Sequence, residues 1–286
     1  MQFVSFFRSE TPRLGVLADD GVIDLAAAQP QVPPDLVNAL ASGVDLLAAA
    51  KAAIAANATR LPLDGIRYAP VVPRPGKIIC LGLNYYDHAK EGGREKPDYP
   101  WFFFRGATSL IAHGEAGIRP RVSERFDYEA ELAVVIGKRA RHLTQDNALD
   151  CVFGYSCFND MSVRDYQKKT PQWTIGKNFD GTGGLGPVLV SADALPAGAI
   201  GLRIQSRLNG TVMQDANTSD MIWSVAETIA LLTECLTLEP GDVIAMGTPA
   251  GVGQARTPPV WMKNGDTISI EIERIGLLSN PIRDEA

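Results

Sequence analysis

The reading of this chain begins at Asp127-Tyr128-Glu129-Ala130-Glu131-Leu132-Ala133-Val134-Val135-Ile136-Gly137. The stretch is rich in β-branched and small apolar residues and ends on glycine, which reads as a strand. Strand side chains alternate faces, so Glu129 and Glu131 point the same way, about 7 Å apart along the backbone. Ala130, Leu132, Val134 and Ile136 point the other way. Ala133 and Val135 continue the glutamate face, which is therefore partly buried, with two carboxylates near its entrance. Like charges so placed repel unless a cation or a proton lies between them.

Outward from this strand, further β signals fall at 2–8, 15–18, 21–25, 77–81, 101–104, 241–246 and 267–273. Residues 202–208 and 211–214 read as a hairpin, because Asn209-Gly210 supplies the positive φ angles of a tight turn. Helical patterns occur near 34–41, 45–56 and 221–235, the last with Ser219 as N-cap. Asn84 to Glu91 reads as a short helix or turn, and the polar stretch 91–100, with Gly92-Gly93, as a mobile loop. Strands scattered among short helices predict an α+β, β-rich fold rather than a doubly wound sheet. Residues 69–76 hold three prolines and a glycine, a stiff connector. It divides the chain into a small N-terminal α+β domain, 1–70, and a larger domain, 71–286.

With 286 residues, 45% apolar and 21% charged, the composition is that of a globular protein and excludes disorder as the main state. The net charge of −6 argues against nucleic acid, which demands a basic footprint. The longest apolar helical stretch, 46–56, is about half of what a bilayer requires, so no membrane partner is expected. No secretory leader is read at residues 1–7. Cys80, Cys151, Cys157 and Cys235 form no CxxC pair and read as reduced core thiols of a cytoplasmic protein. Three histidines leave little for a zinc site.

Four further segments carry chemistry. Asp160 follows the apolar run 151–158 at a strand end; with Glu129 and Glu131 it makes an all-oxygen set suited to Mg²⁺ or Mn²⁺, with Ca²⁺ also admitted. His88 and Glu91 lie three apart and meet if their segment is helical, a carboxylate–imidazole pair able to take a proton. Lys177, between Gly176 and Asn178, offers a charge for an enolate or carboxylate. Residues 181–186 fit GxGxxG but run into Pro187 rather than a helix, so they read as a glycine-rich loop near a site, not a dinucleotide fingerprint. Residues 247–253 form another such loop, whose amides and Thr248 hydroxyl suit an anionic group of a substrate.

Taken together, GLNYYDHAKE at 82–91, DYEAELAVVIG at 127–137, FNDMSVRDY at 158–166, GKNF at 176–179 and LEPGDVIAMGTPAGVG at 238–253 resemble the fumarylacetoacetate hydrolase family. The resemblance runs from about residue 75 to the C-terminus, and its motifs stand in family order. It implies a mixed β-sandwich roll, a homodimer, and an N-terminal unit like the extra domain of longer bacterial members. It implies Glu129, Glu131 and Asp160 as metal ligands, His88, Glu91 and Lys177 as catalytic residues, and Arg105, Tyr85 and Thr248 as substrate contacts. The expected activity is divalent-metal-dependent C–C hydrolysis of a small anionic 2,4-dioxo acid of the acylpyruvate type, through a metal-bound enolate. Alternatives are oxaloacetate decarboxylation, isomerisation or decarboxylation of 2-hydroxyhepta-2,4-diene-1,7-dioate-type ring-cleavage products, or a non-catalytic metal-binding protein.

Overall fold

The computed structural model describes residues 1–93 and 97–286. Two sheets carry the molecule. The larger runs, edge to edge, through strands Arg60–Leu61, Gly21–Asp24, Thr11–Ala18, Gln2–Arg8, Gly183–Ser191, Val152–Asp160, Ala130–Ile136, Val243–Ala245, Ile78–Gly82 and Trp101–Arg105, with Leu110–Ile111 paired to Gly183–Ser191 off this path. The second orders Thr211–Asn217, Arg203–Leu208, Thr267–Ile272, Gly276–Asp284 and Gly117–Arg119.

The two faces read from the central strand are both filled. Leu132, Val134 and Ile136 pack with Ile204, Ile268, Ile270 and Leu278 of the second sheet. Ala133 and Val135 pack on the opposite face with Phe3, Leu14, Ile23 and the helical residues Leu46 and Ala50. Burying each such large aliphatic side chain stabilises the fold by about 1.5–3 kcal/mol, so the alternation along Ala130–Ile136 fixes which way Glu131 faces. The β-rich α+β class follows from this layering. No helix among the described residues is long and apolar enough to cross a membrane.

Several expectations change in detail. The strand is interrupted at Tyr128 and Glu129, between Phe126–Asp127 and Ala130–Ile136. Residue 70 is no gap in the architecture: Gln2–Arg8 pairs with Gly183–Ser191, so the sheet and its core continue across the connector. Residues 183–186 are strand, not loop, because they pair with Val152–Asp160. The helix Val225–Cys235 is capped by Ser224, whose hydroxyl accepts from Glu227 N–H while the Glu227 carboxylate accepts from Ser224 N–H. Ser219 lies instead in a separate turn, Thr218–Asp220, capped by Asn217. The Ser-x-x-Glu capping box outcompetes a lone serine because it satisfies two orphan donors. Cys80, Cys151 and Cys157 are buried, but Cys235 is exposed at the helix end. The expected mobile loop over 91–100 includes residues 94–96, which lie outside the described residues.

Strand direction sets the site. Ile78–Gly82 and Val243–Ala245 are parallel, so both end on the same side of the sheet. Ala130–Ile136 is antiparallel to Val243–Ala245 and begins there; Val152–Asp160 is antiparallel to Ala130–Ile136 and ends there. Four chain segments thus deliver side chains to one rim.

Candidate active site

Glu129, Glu131 and Asp160 converge at that rim, with one oxygen from each lying within 4.8 Å of the others. All three are buried. Their charges are unequally met. Lys177 Nζ lies 2.6 Å from Glu129 Oε2 and 2.6 Å from Asp160 Oδ2. Arg164 Nη2 lies 2.7 Å from Glu129 Oε1, and Arg105 pairs with Asp160 Oδ1. Glu131 receives one backbone hydrogen bond, from Gly247 N–H at 3.0 Å, and no cation among the described residues comes within ion-pair distance.

Protonation follows this inequality. Burial pushes the Glu129 carboxyl up, but Arg164 and Lys177 outweigh it and hold it down to about 2. Burial and the neighbouring Asp160 and Glu129 carboxylates raise Glu131 well above the usual carboxylate range. Burial works against the Lys177 ammonium, yet Asp160 and Glu129 keep it raised and charged. Four buried acids, Asp127 included, face the three buried bases Arg105, Arg164 and Lys177, and the unmatched acid is Glu131. An all-oxygen, net-acidic donor set of this kind fits a hard divalent cation.

His88 and Glu91 stand on the helix Tyr86–Glu91, which follows the end of Ile78–Gly82. Asn84 fixes its start: its amide donates to Met246 and Trp223 carbonyls at 2.7 and 3.1 Å and accepts from Trp223 N–H at 2.7 Å. His88 Nδ1 lies 2.8 Å from Glu91 Oε1, and Glu91 Oε2 accepts from Gly251 N–H at 2.9 Å. The pair lines a cavity of about 370 Å³ with Glu129, Glu131, Lys177 and Thr248. Thr248 Oγ1 accepts from Gln214 Nε2 at 2.7 Å.

Two residues expected at the substrate stand elsewhere. Arg105 is buried behind Asp160, bonded to Ser109 Oγ and Thr182 Oγ1 at 3.2 and 2.9 Å, and does not line this cavity. Tyr85 is buried, its hydroxyl has no hydrogen-bond partner among the described residues, and it lines another cavity beside Asp220. The glycine loop also differs from expectation. Its amides are used on the chain's own carboxylates: Gly247 on Glu131, Gly251 on Glu91 and Gly253 on Asp127, the last at 2.7 Å. A side chain at Gly253 would put a Cβ 2.0 Å from the Val260 carbonyl oxygen, so only glycine lets the loop approach.

Three participants were not read from the sequence. Asp127 accepts from Gly253 and Gln254 N–H and from Arg164 Nε at 2.7, 3.0 and 2.7 Å, tying the loop to the guanidinium that grips Glu129. Gln167 accepts from Arg164 Nη1 at 3.0 Å and lines the cavity. Arg164 and Gln167 open and close the short helix that follows Asp160 and the strand Ser162–Val163, and a basic residue four positions beyond an acid of the triad was the available signal.

The chain matches the sequence profile described as fumarylacetoacetate (FAA) hydrolase C-terminal over residues 77–283. The mitochondrial oxaloacetate tautomerase Fahd2a of Rattus norvegicus is 37% identical over 276 residues, covering 96% of this chain and 88% of that protein. Among solved structures, fumarylacetoacetate hydrolase from Exiguobacterium antarcticum is 34% identical with a TM-score of 0.86, covering 100% of both chains. Maleylpyruvate hydrolase from Sphingobium sp. SYK-6, solved with manganese(II) and pyruvate, is 29% identical with a TM-score of 0.82, again over 100% of both chains. On the match across most of its length and on these relatives, the chain belongs to the fumarylacetoacetate hydrolase family.

Proposed function

We propose that the protein is a divalent-cation-dependent enzyme that moves a proton on a 2-oxo acid, and that its reaction is keto–enol tautomerisation of an oxaloacetate-like substrate. The observation that carries this reading is the 2.8 Å contact between His88 Nδ1 and Glu91 Oε1 in the cavity that Glu129 and Glu131 of the acidic triad also line. A site that only braced loops has no use for an oriented imidazole. Glu129, Glu131 and Asp160 would hold Mg²⁺ or Mn²⁺, which supplies Lewis-acid polarisation of the oxo group.

The chain's own residues do the rest. Glu91 accepts the Nδ1 proton of His88, which leaves Nε2 as the free acceptor. Nε2 takes a proton from the carbon beside the oxo group, and that proton returns to the oxo oxygen to give the enol; the reverse order regenerates the ketone. All three donors of Lys177 point at Glu129 and Asp160, the third at 3.4 Å from the Asp160 carbonyl. Its charge therefore acts on developing oxyanion density through space rather than by a donor of its own. The near full-length likeness to an oxaloacetate tautomerase supports the same reaction.

A second reading, C–C hydrolysis of a 2,4-dioxo acid, is favoured by the likeness to a maleylpyruvate hydrolase holding manganese and pyruvate. There His88 takes its proton from water, the hydroxide adds to the distal carbonyl, and cleavage yields a carboxylic acid and pyruvate. The test gives Mn²⁺-loaded protein the enol of oxaloacetate and, in parallel, acetylpyruvate, following enol absorbance and pyruvate release. His88→Ala should slow the reaction about 10²–10⁴-fold with Mn²⁺ affinity retained. Wild-type rates in that variant reject the base. Cleavage of acetylpyruvate without faster tautomerisation selects the second reading. Thermal stabilisation by Mn²⁺ with neither reaction leaves a binding protein.

A further inference from the structure

The imidazole–carboxylate pair is held from outside its own helix at one place. Glu91 is the last residue of Tyr86–Glu91, a helix of six residues. Among the described residues Glu91 Oε2 has one donor, Gly251 N–H at 2.9 Å. The direction of that N–H therefore decides whether Glu91 Oε1 stays 2.8 Å from His88 Nδ1. Gly251 has no stiffness of its own to supply that direction. Its φ of +100° lies where glycine moves freely and other residues are strained. A Cβ on it would lie 2.3 Å from the Met213 carbonyl oxygen, so no stiffer residue fits.

The rest of the glycine loop has separate pins. Gln214 Nε2 donates to Thr248 Oγ1 at 2.7 Å and to the Pro249 carbonyl at 2.8 Å, and Val260 N–H donates to the Gly253 carbonyl at 2.9 Å. Gly251 is pinned by two side chains instead. Its carbonyl accepts from the Tyr128 hydroxyl at 3.1 Å and from Arg256 Nε at 3.3 Å, and the same Nε lies 3.2 Å from the Tyr128 oxygen. Arg256 Nη2 reaches across to the Met213 carbonyl. The guanidinium thus staples the loop to the strand Thr211–Asn217 through the carbonyl that Gly251 crowds. Arg256 has no ion pair among the described residues and does not line the main cavity. Ordering so long a side chain costs rotamer entropy, and neither a carboxylate nor a ligand in the cavity offsets it. What the clamp secures is the orientation of Gly251.

We infer that Arg256, with Tyr128, is a positioning residue for the base: it orients Gly251, whose N–H holds Glu91, which holds the imidazole of His88. The inference rests on the proposed role of His88 as the base. The acidic triad stands outside this line of contacts, because Glu131 is served by Gly247 N–H and the next loop residues by Gln214. Loss of the Arg256 clamp should therefore slow turnover without loosening the metal.

The test reads the imidazole itself as well as turnover, so that the two readings can fail separately. Nitrogen NMR of the Mg²⁺-loaded protein at pH 8 distinguishes Nδ1–H from Nε2–H imidazole. Among the three histidines, the signals of His88 are those lost in His88→Ala. Wild type should show the Nδ1–H form that Glu91 imposes. Arg256→Met should spread His88 over both tautomers and lower kcat about tenfold, the rate equivalent of one charge-assisted hydrogen bond. KM and Mn²⁺ affinity should stay within about twofold of wild type. Arg256→Lys should recover part of both losses, since an ammonium still reaches one of the two carbonyls. Tyr128→Phe removes one oxygen and no charge and should shift the tautomers the same way. Arg203→Met frees Asp215, two residues beyond Met213 on the same strand, and should change neither reading. An unchanged tautomer in Arg256→Met, or an equal change in Arg203→Met, overturns the clamp. So does a loss of Mn²⁺ affinity in step with kcat. If the tautomers shift as expected while no oxo acid is turned over, the clamp stands and the proposed reaction falls.

Discussion

Glu131→Gln should act with opposite signs on the metal-free and metal-loaded protein. The substitution keeps the acceptor that Gly247 N–H uses and removes only the charge. In the metal-free chain that charge lies within 4.8 Å of both a Glu129 and an Asp160 oxygen. At an effective dielectric near 20, each such pair repels by about 3.5 kcal/mol. Lys177, committed to the other two carboxylates, offsets on the order of one of these pairs. The net relief at pH 8 is then about 3 kcal/mol. With an unfolding entropy of roughly 2.1 cal/mol/K per residue, that raises Tm by about 5 °C for a chain of 286 residues. The pH dependence has a definite sign. Because the folded carboxyl is raised, the native state keeps a proton that the unfolded state releases. Glu131's favourable share is present below the unfolded value of about 4.3 and is lost as pH rises through the folded one. The gap between variant and wild type should open towards alkaline pH. The assay is scanning calorimetry after chelation, from pH 5 to 8, repeated with Mn²⁺. Wild type should gain the more from Mn²⁺. A metal-free Glu131→Gln that melts below wild type at pH 8, or gains equally from Mn²⁺, refutes the reasoning.

Arg105→Met should cost about 3–5 kcal/mol in denaturant unfolding, because it strands the buried Asp160 carboxylate with one cation fewer; a variant of unchanged stability with only a raised KM would restore Arg105 to the substrate. Burial pushes the Cys151 and Cys157 thiols up to about 11 and about 12 and raises Cys80 as well. At pH 8, Ellman's reagent should therefore find one thiol, Cys235, in the folded chain and four in guanidinium. Two or more in the folded protein would contradict the burial.

What could be read from the sequence is what short-range pattern determines. The alternation through 130–136 set the two faces because each side chain's direction follows from its neighbour's. His88 and Glu91 meet because three residues make almost one helical turn. The remainder depends on partners far apart in the chain. Asp127 accepts from Gly253, 126 residues away, and Arg105 pairs with Asp160 across 55. Nothing local told whether Arg105 faces a ligand or a carboxylate of its own chain, since an arginine on a strand suits either. The glycine loop misled for the same reason: its amides were rightly read as anion holders, but the anions are Glu131, Glu91 and Asp127. Ser219 and Ser224 compete at one helix start, and Glu227, three residues beyond Ser224, was the local clue that decides between them.

The glycine loop gauges three functions against a single ruler. Its teeth at 247, 251 and 253 engage, in turn, an acid of the triad, the partner of the imidazole, and the acid that steers Arg164. Inserting or deleting one residue between the first tooth and the second would throw the base out of step with the ion while leaving every side chain in place. Divergence of reaction among relatives of this shape can therefore proceed through the spacing of that comb, without replacement of any acidic group it engages.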